Sequence, residues 1–115
     1  MRNGEDTVPY YGNMRKEVLM EIVYLAGKIT GDPGYREKFK KAADQLREMG
    51  KFVLDPTTLE EGRQREYYGE QCVNLINMSD SVYFLPDWED SEGAKLEMAY
   101  AKYCGKKVRV IVAMG

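Results

Sequence analysis

The feature that most restricts the fold is an alternation of two hydrophobic periods along the chain. Residues 20–26 (MEIVYLA), 52–54 (FVL), 81–86 (SVYFLP) and 107–113 (KVRVIVA) are short runs rich in β-branched and aromatic residues, which read as buried strands. Between them the apolar residues recur at steps of three and four, the mark of amphipathic helices. The first such stretch carries Tyr35, Phe39, Ala42, Ala43, Leu46 and Met49 and stops at Gly50; Asp32 or Gly34 is its expected cap. The second is expected from about Arg63 to Met78, with Tyr67, Tyr68, Cys72, Leu75, Ile76 and Met78 as its apolar set and Thr57 or Thr58 as a cap ahead of it. The third follows Ser91, a good N-cap residue, and runs to about Cys104 before Gly105.

A β-α-β-α-β-α-β order predicts parallel strands joined by right-handed crossovers. The expected architecture is α/β: a single-domain three-layer α/β/α sandwich around a four-stranded parallel sheet of order 2-1-3-4, flavodoxin- or Rossmann-like. Residues 1–18 show no sustained period and are expected to form an N-terminal tail, leaving 19–115 as the domain. In such sheets ligands bind beyond the carboxyl ends of the strands, where the order reverses. The loops to read are therefore Gly27–Gly34 and Pro86–Gly93.

Composition narrows the chemistry. The chain of 115 residues has 17 Lys and Arg against 19 Asp and Glu, so no basic excess points to nucleic acid. No apolar run approaches the ~18 residues of a membrane span, and the first residues lack the apolar core of a signal peptide, so a cytoplasmic location is expected. There is no histidine, and the two cysteines, Cys72 and Cys104, form no CxxC pair. The usual zinc sites, a Ser-His-Asp triad and a Cys-His dyad are thereby excluded, and no cofactor or metal is expected. Acid–base work must fall to carboxylates, Tyr or Lys.

In the first loop, Gly27, Lys28, Ile29, Thr30 and Gly31 permit close backbone approach to an anion, or serve only as a glycine-bearing turn between strand and helix. In the second, Ser91 and Gly93 stand at a helix start, where free N–H groups point outward. Glu97 shares a helix face with the small or apolar Gly93, Ala94, Tyr100 and Ala101. Such a carboxylate is either a buried functional group or one paired with Lys102 or Arg109, or solvated. Trp88 can stack on a base or cover the core. Asp55 and Asp80, flanking strands, are commonly turn or cap residues. Lys38, Lys40 and Lys41 read as a solvated helix face.

The segments YLAGKITG, YREKFKKAADQLREMGKFVLDPT and NMSDSVYFLPDWEDSEGAKLEMAYA together resemble the DUF4406 domains of bacteria and phages, in the nucleoside 2-deoxyribosyltransferase-like superfamily. The resemblance covers about residues 20–112. It implies that Gly93-Ala94-Lys95-Leu96-Glu97-Met98-Ala99-Tyr100-Ala101 is the superfamily's Gly-x-x-x-Glu-x-x-x-Ala stretch, with Glu97 attacking the anomeric carbon of a deoxyribosyl group. It implies that Ser91 meets a 5'-phosphate, as in deoxynucleoside 5'-monophosphate N-glycosidases. Tyr24 is then expected near the sugar, Gly27, Lys28, Ile29 and Thr30 along the sugar-phosphate, and Asp55, Trp88, Asp90 and Gly93 around the substrate. The superfamily's Asp on the helix before strand 3, which helps set protonation of the leaving base, stands here as Cys72. Relatives also have a fifth strand and lend a residue to a neighbouring subunit's site, for which the sequence offers no counterpart, although a homo-oligomer is implied. The expected partner is a nucleoside or a nucleoside 5'-monophosphate-like small molecule. The alternative to a glycosidase or transferase is a protein that binds a nucleotide or nucleotide-derived signal without cleaving it, such as a phage protein acting on host signalling. A third reading is a protein-interaction role resting on the tyrosine-bearing tail.

Overall fold

Strand β1 (Ile22–Ala26) is apolar on both faces, so it can lie only inside a sheet that is covered on both sides. In the computed structural model, which describes residues 20–112, it does so. The expected tail and Ala113 lie outside the described residues. β1 pairs in parallel with β2 (Phe52–Leu54) on one side and β3 (Ser81–Phe84) on the other, and β4 (Lys107–Val110) pairs in parallel with β3. The order is 2-1-3-4, as the alternation predicts.

Equal handedness of the crossovers fixes the layers. The chain steps one way from β1 to β2 and the other way from β2 to β3, so the connecting helices fall on opposite faces. Helix α1 (Tyr35–Glu48) covers the face that carries Val23, Leu25, Val53 and Leu85, through Phe39, Ala42, Ala43 and Leu46. Helices α2 (Arg65–Met78) and α3 (Glu92–Tyr103) cover the face that carries Tyr24, Ala26, Val82 and Phe84, through Ile76, Met98 and Ala101. Alternation along β1 thus divides the core into two halves and sends Tyr24 towards α3.

Several boundaries differ from the sequence reading, for local reasons. The third strand stops at Phe84, ahead of Pro86, although the Leu85 N–H still donates to the Ala26 carbonyl at 2.8 Å. The fourth stops at Val110, with one further bond from the Ile111 N–H to the Phe84 carbonyl. Neither Thr57 nor Thr58 caps a helix. Instead Asp55 caps a 3-10 turn over Pro56–Thr58, its Oδ1 accepting from the Thr57 N–H at 2.8 Å and the Thr57 hydroxyl at 2.7 Å. Helix α2 begins at Arg65 after Gln64, which makes no side-chain cap bond. Only Ile76 of α2 is fully buried; Met78, expected on its apolar face, is 60% exposed. Tyr68 packs edge-on to Tyr67 and fastens the preceding loop by donating to the Glu60 carbonyl at 2.6 Å.

Gly27 is required for a reason that local sequence does not reveal. A Cβ there would lie 2.6 to 3.0 Å from three atoms of the fully buried Leu85 side chain. The glycine lets the end of β1 touch the end of β3. Gly27→Ala is expected to destabilise the fold by about 1–3 kcal/mol through overpacking. In urea denaturation its cost and that of Leu85→Ala should be less than additive, because the second change removes Cδ1 and Cγ, two of the three colliding atoms; strict additivity would show that the two do not collide.

Candidate active site

The site begins with a polar group that has lost its water. Tyr24 is fully buried, and its hydroxyl donates to Glu97 Oε2 at 2.7 Å. Glu97 is half-buried on the inner side of α3, and the Cys72 thiol of α2 lies beside both. Burial removes water from the Glu97 carboxylate and raises its pKa above the usual value, against the opposing hydrogen bonds of Tyr24 and Cys72. Burial, and then the neighbouring Glu97 charge, push the Cys72 thiol up to about 12 and the Tyr24 phenol well above its ordinary value. Of the three acids, Glu97 starts from by far the lowest ordinary value and is the most readily ionised, although burial opposes its charge. Among the described residues Glu97 has no cationic partner: the alternative pairing with Lys102 or Arg109 is not formed, and the Arg109 guanidinium instead reaches the Val108 carbonyl at 3.4 Å.

Above this cluster stands the start of α3. Ser91 caps it, its Oγ accepting from the Ala94 N–H at 3.1 Å. The amides of Glu92 and Gly93, in the first turn, have no intrahelical acceptor by helix geometry, and Gly93 is exposed. The preceding 3-10 turn, Trp88–Asp90, carries Trp88 over Phe84 with ring centroids 5.6 Å apart and leaves Asp90 exposed. Trp88 thus covers one end of the core half that holds Tyr24.

The first loop is arranged differently from a bare anion cradle. The Lys28 N–H donates to Asp87 Oδ1 at 3.2 Å, so that amide is already occupied. Ile29 packs into the core half under α1, and Thr30 is exposed. Gly31 has φ 81° in a turn closed by the Asp32 N–H on the Ile29 carbonyl at 3.1 Å, a conformation that favours glycine. Asp55 follows Leu54, the register partner of Tyr24, so it stands at the same end of the sheet, with one carboxylate oxygen spent on its own turn. The structure therefore brings Tyr24, Cys72 and Glu97 into contact, with Ser91 and Gly93 at the head of the helix that carries Glu97. Sequence reasoning missed the role of Lys38. Rather than facing solvent with Lys40 and Lys41, it is only 23% exposed and pairs with Asp32 and Asp87. Among the described residues no group of carboxylates and thiols could hold a metal ion. An open depression of about 370 Å³, lined by Met20, Arg47, Lys51, Phe52 and Val53, lies by the opposite end of β2 and contains none of these groups.

The raised Glu97 pKa makes a signed prediction. Below its ordinary value of 4.5 the carboxyl is protonated in folded and unfolded chains alike, and burial of charge costs nothing. As pH rises through the higher folded value, the unfolded chain releases its proton first and folding loses free energy. Glu97→Gln, which keeps an acceptor for Tyr24, should raise Tm relative to the parent at pH 8, with the gap closing as pH falls below about 4.5. A gap independent of pH in thermal melts would contradict the buried-carboxylate assignment.

Comparison with solved structures places the chain in a known fold. A 2-deoxyribosyltransferase from Leishmania mexicana matches with a TM-score of 0.64 at 19% identity, over 79% of this chain and 63% of that one. A 2-deoxyribosyltransferase from the psychrotolerant bacterium Bacillus psychrosaccharolyticus matches with a TM-score of 0.63 at 21% identity, over 77% of this chain and 70% of that one. The chain thus spans less than two thirds of the Leishmania enzyme's length, and at these identities the likeness is one of fold. No curated protein matches the sequence. The model of the DUF4406 family, a domain of unknown function, matches residues 21–110, and the chain accordingly belongs to the DUF4406 family.

Proposed function

We propose that this protein is an N-glycosidase or 2-deoxyribosyltransferase acting on nucleosides or nucleoside 5'-monophosphates, with Glu97 as the nucleophile. The observation that carries the reading is the Tyr24–Glu97 pair: a half-buried carboxylate with no cationic partner among the described residues, held at 2.7 Å by a buried hydroxyl, on the helix that follows the third strand of a 2-1-3-4 sheet. Tyr24 holds Oε2, and on this reading the carboxylate attacks through Oε1. Oε1 forms a bond to C1' of the deoxyribosyl group as the N-glycosidic bond breaks, and the base departs with the bonding pair and takes up a proton. Water or a second base then attacks C1' and returns the carboxylate. A carboxylate suits this chemistry because it stabilises the oxocarbenium-like transition state and then traps it.

The head of α3 supports a 5'-phosphate. The Ser91 hydroxyl spends a lone pair on Ala94 and keeps its proton to donate, and the amides of Glu92 and Gly93 add to the positive end of the helix. On this reading Trp88, Asp55, Asp90 and the Gly27–Thr30 loop line the substrate, and the protein works in the cytoplasm as a homo-oligomer.

A second reading, a nucleotide receptor without turnover, is favoured by Cys72. A thiol with a pKa of about 12 is a poor proton donor to a departing base at neutral pH. The two readings separate in one experiment. Deoxynucleosides and deoxynucleoside 5'-monophosphates are incubated with the protein, with and without a second base, and chromatographed for released or exchanged base. Turnover is expected, and Glu97→Gln should lower it by about 10³-fold or more. Equal turnover by Glu97→Gln would overturn the nucleophile assignment. No turnover by folded protein, with thermal stabilisation by a nucleotide, would establish the receptor instead.

A further inference from the structure

The Lys38 ammonium, on the first turns of α1, contacts two carboxylates far apart in sequence: Asp32, in the loop after β1, and Asp87, in the loop after β3. Each carboxylate divides its two oxygens in the same way. Asp32 gives Oδ2 to Lys38 and Oδ1 to the Gly34 N–H at 2.9 Å, which fixes the turn into α1. Asp87 gives Oδ2 to Lys38 and Oδ1 to the Lys28 N–H at 3.2 Å. The result is a continuous chain of contacts from Gly34 through Asp32, Lys38 and Asp87 to Lys28. It closes a ring around the loop that links β1 to α1 and fastens that loop to the turn preceding Ser91. All three side chains are between 23% and 30% exposed, so the charges are partly withdrawn from solvent and screened less than surface pairs. Burial alone would lower the Lys38 pKa, yet the two carboxylates outweigh it and hold the amine charged.

We propose that Lys38 is a positioning residue that ties the two loops forming the walls of the site, Gly27–Gly34 and Leu85–Ser91, into one unit. Asp87 by itself makes a single link, to the Lys28 amide, and Lys38 adds a second through Asp32, which lies within the first loop. One cation shared between the two carboxylates sets the separation of the loops, which in a doubly wound sheet bound the crevice at the switch point. That the crevice takes a nucleotide rests on the function proposed above; the tie itself does not.

Hydrogen–deuterium exchange on the full chain tests the tie without reference to activity. Lys38→Met should speed exchange in residues 28–34 and in residues 86–91 together, by about tenfold, equal to about 1.4 kcal/mol of opening free energy. Exchange in β1 and β3 should stay unchanged, which excludes general unfolding. Asp87→Asn should loosen the same two segments. A change confined to residues 28–34, or in neither segment, overturns the proposal. In turnover assays Lys38→Met should raise KM more than it lowers kcat, since the crevice loosens while the Tyr24–Glu97 pair is untouched; a fall in kcat alone contradicts a positioning role. Coupled loosening without turnover by any variant leaves the tie standing and counts against the proposed function alone.

Discussion

A tyrosine hydroxyl sealed from water must find an acceptor inside the protein, and in this chain the acceptor is the Glu97 carboxylate. The requirement follows from the sheet. β1 is central and buried on both faces, so its alternation commits Tyr24 to the side covered by α2 and α3. The phenol ring fills the core while its hydroxyl meets Glu97, in the second turn of α3. The bond to Glu97 therefore joins the centre of the sheet to the helix that carries the candidate phosphate contacts. It also keeps a carboxylate in a place where charge is costly, which accords with the chemical role proposed for Glu97.

The absence of histidine gives this cluster its character. Three acids meet, and their shared burial raises all three pKa values: Tyr24 and Cys72 from ordinary values that are already high, Glu97 from a carboxylate's low one. Two neutral donors thus surround one ionisable oxygen acid. Such an arrangement favours nucleophilic attack at an electron-poor carbon and leaves protonation of a leaving group to another source. The thiol at Cys72 is the feature that most divides a glycosidase from a receptor.

Much of this was legible in the sequence because it depends on short-range rules. Strand and helix periods fix the element order, and crossover handedness fixes the sheet order. Ser91 was recognisable as a cap because its partner, Ala94, is three residues away. For Glu97 the small or apolar helical neighbours allowed burial as one reading beside pairing or solvation, and the contact with Tyr24 decides for burial. What escaped depends on contacts between distant residues. Gly27 reads as a loop glycine until Leu85 is seen against it. Lys38 sits in a run of lysines and reads as solvated until Asp87 arrives from the other loop. One local contact escaped as well: Asp55 caps a 3-10 turn at Pro56–Thr58, where Thr57 or Thr58 was expected to cap a helix, because all three residues are plausible caps.

The most direct measurement of the central claim is intact-protein and peptide mass spectrometry after rapid acid quench with a deoxynucleotide substrate. A deoxyribosyl or deoxyribosyl-phosphate adduct on the peptide containing Glu97, absent from Glu97→Gln, is the predicted result. Release of base with no adduct, or an adduct on any other residue, would contradict a Glu97 nucleophile.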